Sequence, residues 1–356
     1  MRNLLRFAAF IVASALSAGA SASYSNLFIF GDSLSDTGNN AFVFDLVGAS
    51  QGIPPGALRT PVPTANNSFI PDFPYATAVG GRYSNGPVWA ESFAAALGLS
   101  ATASNLGGTN YAYGGAVTGP LGNPNPFANF PANFPLSLTT QAATFFGQYP
   151  QAPTDALYVV AGGGNDARAI LTQAGTDILN GVNPFPAIFA GAQAYAAYVD
   201  GIVENLELAG AQSILVWDTP NAGLAPAILA YGPQAAGLAT QISQLMNAEL
   251  LKLLADDIAS GTKLFDTFGF ITGIAANPSA YGLVNASDAC SAAANIDACQ
   301  QANLQYFFWD GIHPTAAGHQ LLAAAVLQEV MVPEPASLAL VCLALIGLGL
   351  SRRRKQ

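Results

Sequence analysis

Histidine is the scarcest chemistry-bearing residue in this chain, which holds two among 356 residues. His313 stands in the run Trp309-Asp310-Gly311-Ile312-His313-Pro314. Pro314 steers the residue before it out of helical backbone and itself suits the first position of a helix. The spacing therefore predicts His313 at the N-cap of a last helix over Thr315–Glu329, with its backbone fixed and its ring free to project. Asp310 lies three residues earlier across a glycine-containing turn. It can reach back to Nδ1, fix the tautomer and leave Nε2 as a base. An ordinary capped loop with a solvent-facing imidazole would have the same local sequence. His319 falls inside the same helix with no acid at turn or helical spacing, and is expected to be structural.

A base needs a nucleophile. Phe28-Ile29-Phe30 reads as the end of a strand, followed by Gly31-Asp32-Ser33-Leu34-Ser35-Asp36-Thr37-Gly38-Asn39-Asn40. Gly31 permits a tight turn, so Ser33 would stand at the strand exit. Position 35 is Ser, so this is not a Gly-x-Ser-x-Gly elbow. A serine here also suits a helix cap, and Ser33 could do both. Asp32 and Asp166 read as loop organisers, and Asp218 and Asp266 as caps of the turns that follow them. No cofactor is expected: Gly162-Gly163-Gly164 lacks the Lys-Ser/Thr of a phosphate loop. No metal is expected either, since two histidines leave no His-rich site and Asp36, Asp218 and Asp266 have no dedicated ligand loop.

Four elements must position these groups. Apolar strand-like runs occur at Asn26–Phe30, Leu157–Ala161, Ser213–Trp217 and Lys263–Phe265. Helix-like stretches lie at Val88–Leu97, Ala187–Ala209, Ala235–Ala259 and Thr315–Glu329. Buried strands alternating with helices predict an α/β fold with a mostly parallel sheet. In such sheets functional groups gather beyond the carboxyl ends of the strands, where Ser33, Asn165 and Asp218 fall. Val47–Ser84 and Thr118–Leu136 are rich in Pro, Gly, Asn and Ala and read as long loops, rims or lids. Their aromatics (Phe69, Phe73, Tyr75, Phe127, Phe130, Phe134) suit either ordinary packing or an apolar acyl pocket.

Four separated blocks, in order, resemble the GDSL esterase/lipase (SGNH hydrolase) family. They are Phe30–Asn39, Asn110-Tyr111-Ala112-Tyr113-Gly114-Gly115-Ala116, Gly163-Gly164-Asn165-Asp166 and Asp310-Gly311-Ile312-His313-Pro314. The resemblance implies a three-layer α/β/α, flavodoxin-like fold. It implies Ser33 as nucleophile, His313 as general base and Asp310 as its orienter. It also implies an oxyanion hole from the N–H of Ser33, the N–H of Gly115 and the side-chain amide of Asn165. The implied activity is ester hydrolysis, on an acyl ester or an acetylated glycan. Polysaccharide O-deacetylation or acyl transfer is the neighbouring alternative, and a non-catalytic matrix protein that keeps the fold is the third.

The ends of the chain are read as addresses. Arg2 and Arg6 precede an apolar run and small residues, the pattern of a secretory signal peptide over residues 1–22. At the other end, Pro333-Glu334-Pro335, an uncharged apolar run and Arg352-Arg353-Arg354-Lys355 resemble the bacterial PEP-CTERM sorting signal. That resemblance implies processing by an exosortase, a Gram-negative host, transient membrane anchoring through residues 333–356 and delivery to the cell surface or extracellular matrix. One hydrolase domain is expected over 23–332. Its only basic residues are Arg59, Arg82, Arg168, Lys252 and Lys263, against twenty acids, so it would repel nucleic acid. Cys290 and Cys299 could pair in an oxidising compartment.

Overall fold

Short β-branched and aromatic runs build the central sheet, the first three of them buried on both faces and the edge run at Lys263–Phe265 half-buried, as expected where helices cover a parallel sheet on both sides. A computed structural model of the chain describes residues 24–61, 66–76, 80–120, 130–131, 133–292 and 305–331. The signal-peptide and sorting-tail segments, Phe127, Cys299 and Cys342 lie outside the described residues. Residues 24–326 form one compact unit, and Leu327–Met331 are the described part of a second.

In chain order the regular elements are β1 (Leu27–Gly31), α1 (Asn39–Ser50), α2 (Trp89–Ala96), α3 (Leu138–Gln148), β2 (Leu157–Ala161), α4 (Gly164–Leu179) and α5 (Phe185–Leu208). There follow β3 (Ser213–Trp217), α6 (Pro226–Leu229), α7 (Pro233–Leu253), α8 (Ala255–Ser260), β4 (Lys263–Phe265) and α9 (Thr267–Ala276). The last are β5 (Asn285–Ala289), β6 (Tyr306–Phe308) and α10 (Ala316–Met331). The main sheet is parallel in the order β1-β2-β3-β4, with Leu27 opposite Leu157 and Leu157 opposite Ser213. Outside β1, residues 109–113 run alongside it through Ile29 N–H to Thr109 O, Tyr111 N–H to Ile29 O and Tyr113 N–H to Gly31 O. Counting that extended segment gives the 2-1-3-4-5 order of flavodoxin-like folds. β5 and β6 pair separately.

Strand alternation sends side chains to two layers. Phe28, Phe30, Tyr158, Val160, Ile214 and Val216 share one core with Phe145 of α3, Val199 of α5 and Met246 of α7. On the opposite face, Trp217 meets Trp89 of α2 at 4.5 Å between ring centroids. All four strands expected from the sequence are present. α1, α3, α4, α6, α9 and the β5–β6 pair are additional to that expectation. The expected helix over Ala235–Ala259 is broken at Leu254 into α7 and α8. The first four residues of the expected Val47–Ser84 loop are the last turn of α1.

β1 ends in a tightly determined turn. Gly31 exchanges two hydrogen bonds with the Gln141 side chain of α3, its N–H donating at 2.8 Å and its carbonyl accepting at 2.9 Å. A Cβ on Gly31 would lie 2.8 Å from Ala161 O and 3.0 Å from Ser35, so no larger residue fits there. Asp36 then anchors α1. Its buried carboxylate accepts from the N–H groups of Gly38, Asn39, Asn40 and Gly114. Burial raises its pKa, and these four donors oppose that shift. The helix cap that Ser33 could also have supplied is provided by Asp36, whose carboxylate accepts from the first N–H groups of α1.

Asp36→Ala would strand four backbone N–H groups. The expected loss is about 3 kcal/mol or more of folding stability, read as a lower urea midpoint, with Asp36→Asn losing less because one acceptor oxygen survives.

Candidate active site

Ser33 follows β1 in a turn closed by Ser35 N–H and Asp36 N–H, both donating to the Asp32 carbonyl. His313 comes from the other end of the unit, on the connection between β6 and α10. Its carbonyl accepts from Trp309 N–H at 2.7 Å, and Ser84 Oγ donates to the next carbonyl, that of Pro314, at 2.9 Å. The imidazole Nε2 lies 2.8 Å from Ser33 Oγ, although the two residues are 280 apart in the chain. On the other side of the ring, Nδ1 lies 2.8 Å from Asp310 Oδ2. The structure therefore brings Ser33, His313 and Asp310 into contact.

Asp310 is wholly buried and its carboxylate is saturated. Oδ1 accepts from the N–H groups of Ile312 and His313, at 2.8 and 2.7 Å. Oδ2 accepts from the Tyr75 hydroxyl at 2.8 Å as well as facing Nδ1. With the carboxylate as acceptor, Nδ1 carries the proton and Nε2 is left to accept from Ser33. The expectation that His313 caps the last helix is corrected. α10 begins at Ala316, and Thr315 caps it, its Oγ1 accepting from Gly318 N–H at 3.1 Å. A hydroxyl oxygen matches an orphan helical N–H better than an imidazole does. His313 instead sits in an extended turn paired with the end of β6, which aims its ring at Ser33.

Tyr75 reads in the sequence only as a loop aromatic, with no sign of its bond to Asp310, and Tyr83 carries no signal, because each comes from a loop with no motif. Tyr75 is completely buried, and its donation to Asp310 carries a raised phenol pKa that arises first from burial and then from the Asp310 charge. The Tyr83 ring packs 5.2 Å from the His313 ring, and its hydroxyl accepts from Asn40 Nδ2 at 2.7 Å.

Two concavities meet at Ser33, His313, Asn165, Arg168 and Ile312. One is apolar, lined by Leu171, Ala225, Ile228, Ile271, Phe307 and Phe308 among others. The other is mixed, with Asn40, Asp72, Tyr83, Gly114 and Gly115 at its wall. Gly115 has φ +83°, a left-handed conformation that favours glycine. Asn165, in the first turn of α4, gives one amide hydrogen to Ala116 O at 2.9 Å, which fixes the amide plane beside the pocket. Phe73, Phe130 and Phe134 gather around Phe44 at 4.5, 4.8 and 5.6 Å. The loop aromatics are thus mainly packing, and helices and β6 supply most of the apolar wall.

The surrounding carboxylates organise loops, as expected. Asp32 accepts from Leu34 N–H, and Asp166 from the N–H and hydroxyl of Thr118. Burial pushes both up to about 6. Asp218 accepts from Phe268 N–H and is pushed up to about 7, again by burial first, while Asp266 caps α9 through Gly269 N–H. Among the described residues no cluster of three or more His, Cys, Asp or Glu side chains is arranged to hold a metal ion. Cys290 is disulfide-bonded.

The family model for GDSL-like lipase/acylhydrolase matches residues 27–326. The chain belongs to this family. It is therefore an SGNH-type hydrolase by fold and by class, one that acts on ester bonds. Among its relatives, a GDSL esterase/lipase of Arabidopsis thaliana is 23% identical over 85% of this chain and 88% of its own length. A second from that plant is 24% identical over 90% and 93%. A thermolabile hemolysin of Vibrio parahaemolyticus is 27% identical over 84% of this chain and 62% of its own. Residues 332–355 match the PEP-CTERM protein-sorting motif, which marks bacterial proteins for export and surface or extracellular delivery and implies exosortase processing. Among the described residues no helix is long and apolar enough to cross a membrane.

The second histidine of this hydrolase is buried in α10 with neither ring nitrogen hydrogen-bonded among the described residues. Burial, with the His313 ring adding to it, pushes His319 down to about 3. The unfolded chain would take up that proton near 6.5, so the stability tied to this neutral ring is present above pH 6.5 and lost as pH falls toward 3. Asp32 and Asp166 act in the opposite sense between about 6 and 4, so the comparison must isolate His319. Between pH 7 and 5 the wild type should lose about 2 kcal/mol relative to His319→Met, measured by urea unfolding at both pH values.

Proposed function

We propose that the protein is an exported serine esterase that hydrolyses carboxylic esters through an acyl-enzyme on Ser33. The observation that carries this reading is the 2.8 Å approach of His313 Nε2 to Ser33 Oγ, with Asp310 behind the ring. In the proposed cycle Nε2 takes the Ser33 proton as Oγ attacks the ester carbonyl carbon. The carbonyl oxygen becomes an alkoxide. The N–H groups of Ser33 and Gly115 and the second amide hydrogen of Asn165 stabilise that charge in a site where water is largely excluded. Collapse breaks the bond to the alkoxy group, which leaves as alcohol with the proton from Nε2. Water then gives a proton to Nε2, attacks the acyl carbon and releases the acid, regenerating Ser33. The buried Asp310 carboxylate stabilises the transient imidazolium, and Tyr75 holds that carboxylate in place.

The apolar concavity supports assigning it to the acyl group, and the mixed one to the alcohol side. The domain division follows the same reading: a signal peptide over 1–22, the hydrolase over 23–332, and a sorting tail over 333–356. That tail would anchor the chain transiently in the membrane until an exosortase removes it, and the enzyme would then reach the cell surface or extracellular matrix of a Gram-negative bacterium.

Ser33→Ala and His313→Ala should each lower hydrolysis of p-nitrophenyl butyrate by on the order of 10⁴-fold or more. Asn165→Ala should lower kcat by about 10²–10³-fold with little change in KM. His319→Met should retain most activity at pH 7. Equal rates for Ser33→Ala and wild type would end the serine-esterase reading. Tyr75→Phe should cut kcat roughly tenfold while leaving KM, because it frees Asp310 without touching the pocket.

A further inference from the structure

α5 is far longer than the sheet it covers. Its 24 residues span roughly 36 Å, whereas a five-residue strand such as β2 spans about 17 Å. The excess lies on one side. Tyr195 of α5 is level with the carboxyl end of β2, since a Cβ on Gly163 would lie 2.7 Å from its ring. From Tyr195 to Leu208 the helix runs down the sheet toward the start of β3. The ten residues from Phe185 to Ala194 therefore extend roughly 15 Å beyond the edge where Ser33 and Asn165 sit. α4 rises antiparallel beside them, as the contact of Ile170 with Gly191 records. The α4–α5 hairpin thus projects from the catalytic rim, and α4 itself carries Asn165, Arg168 and Leu171 at the pocket wall.

The tip of this hairpin is apolar and exposed. Leu179 is 89% and Phe185 66% exposed, and Ile178, Val182 and Phe189 are exposed beside them. From Ile178 through Val199 there is no charged residue, in a body that is strongly acidic. Large apolar groups clustered in water cost free energy unless something covers them. With Asp177 at its base as the nearest charge, the tip of an acidic protein has no attraction for anionic surfaces or nucleic acid. It suits insertion into an interface of uncharged or zwitterionic lipid, where apolar side chains enter and charges do not.

We propose that the α4–α5 tip docks this enzyme on the surface of an aggregated, electrically neutral ester lipid, and so presents the pocket around Ser33 to that phase. The inference rests on the esterase reading for its substrate, but the docking has its own readout. Trp89 and Trp309 are fully buried and Trp217 is 3% exposed, so full-length Leu179→Trp places a single exposed indole at the tip. Phosphatidylcholine vesicles should shift its emission to the blue, and an unchanged spectrum overturns the proposal. A blue shift that grows with protein concentration in the absence of lipid would make a second copy the occupant and also overturns it. In the full chain, Leu179→Ser/Phe185→Ser should leave hydrolysis of soluble p-nitrophenyl butyrate unchanged and slow hydrolysis of emulsified tributyrin at least tenfold. Equal loss on both substrates, or loss on neither, refutes docking while leaving the esterase reading intact. No hydrolysis of either ester by the wild type refutes the esterase reading, and the vesicle spectrum then decides docking alone.

Discussion

A buried carboxylate with four donors is the constraint from which the site follows. Removing Asp310 from water is costly unless every oxygen is paired. Here two backbone N–H groups, one phenol and one imidazole do this. The two backbone bonds curl residues 310–313 into a single tight turn. The phenol ties in a loop from more than 200 residues earlier in the chain. The imidazole is what remains, and it has one orientation. Ser33 is fixed independently, by Gly31 clamped to Gln141 and by Asp36 at the head of α1. Two rigid turns therefore face each other across the carboxyl edge of the sheet, and neither depends on a flexible side chain to close the gap.

Much of this was legible in the amino-acid sequence, for identifiable reasons. β1 to β4 are short apolar runs ended by Gly, Asp or small residues, so pattern alone places them to within a residue. Asp310 and His313 are close in sequence, and their coupling is a local turn. Ser33 declares itself by following a strand and a glycine. The family blocks added Gly115 and Asn165, whose spacing to Ser33 has no local signature. What stayed hidden is mostly non-local. Tyr75 meets Asp310 across 235 residues, and nothing in the Pro-rich loop around it hints at a partner. α4 was missed because its first residues, Gly-Asn-Asp, read as turn chemistry. In the fold they open a helix whose first turn carries the pocket amide. The cap expected at His313 and the one left open at Ser33 are both absent for one shared reason. A better cap, Asp36 or Thr315, stood a few residues further along.

The same rim gathers chemistry of opposite kinds. Burial raises the pKa of Asp32, Asp166 and Asp218, so these rim carboxylates take up protons more readily than exposed ones would. Arg168 adds the sole lysine or arginine side chain among the described residues lining the two concavities. In the proposed mechanism an alkoxide forming on the substrate would meet amide donors with that cation nearby.

The distance along the chain between Ser33 and the His313 ring has a temporal consequence. A polypeptide still leaving the ribosome exposes its hydroxyl long before the imidazole has been synthesised. In the proposed mechanism every nascent or truncated form that lacks His313 is chemically silent, and hydrolysis begins only when the chain has been made past that residue and has closed on itself. A cell that exports such a chain before it folds is spared an esterase in its own cytoplasm without needing an inhibitor or a propeptide.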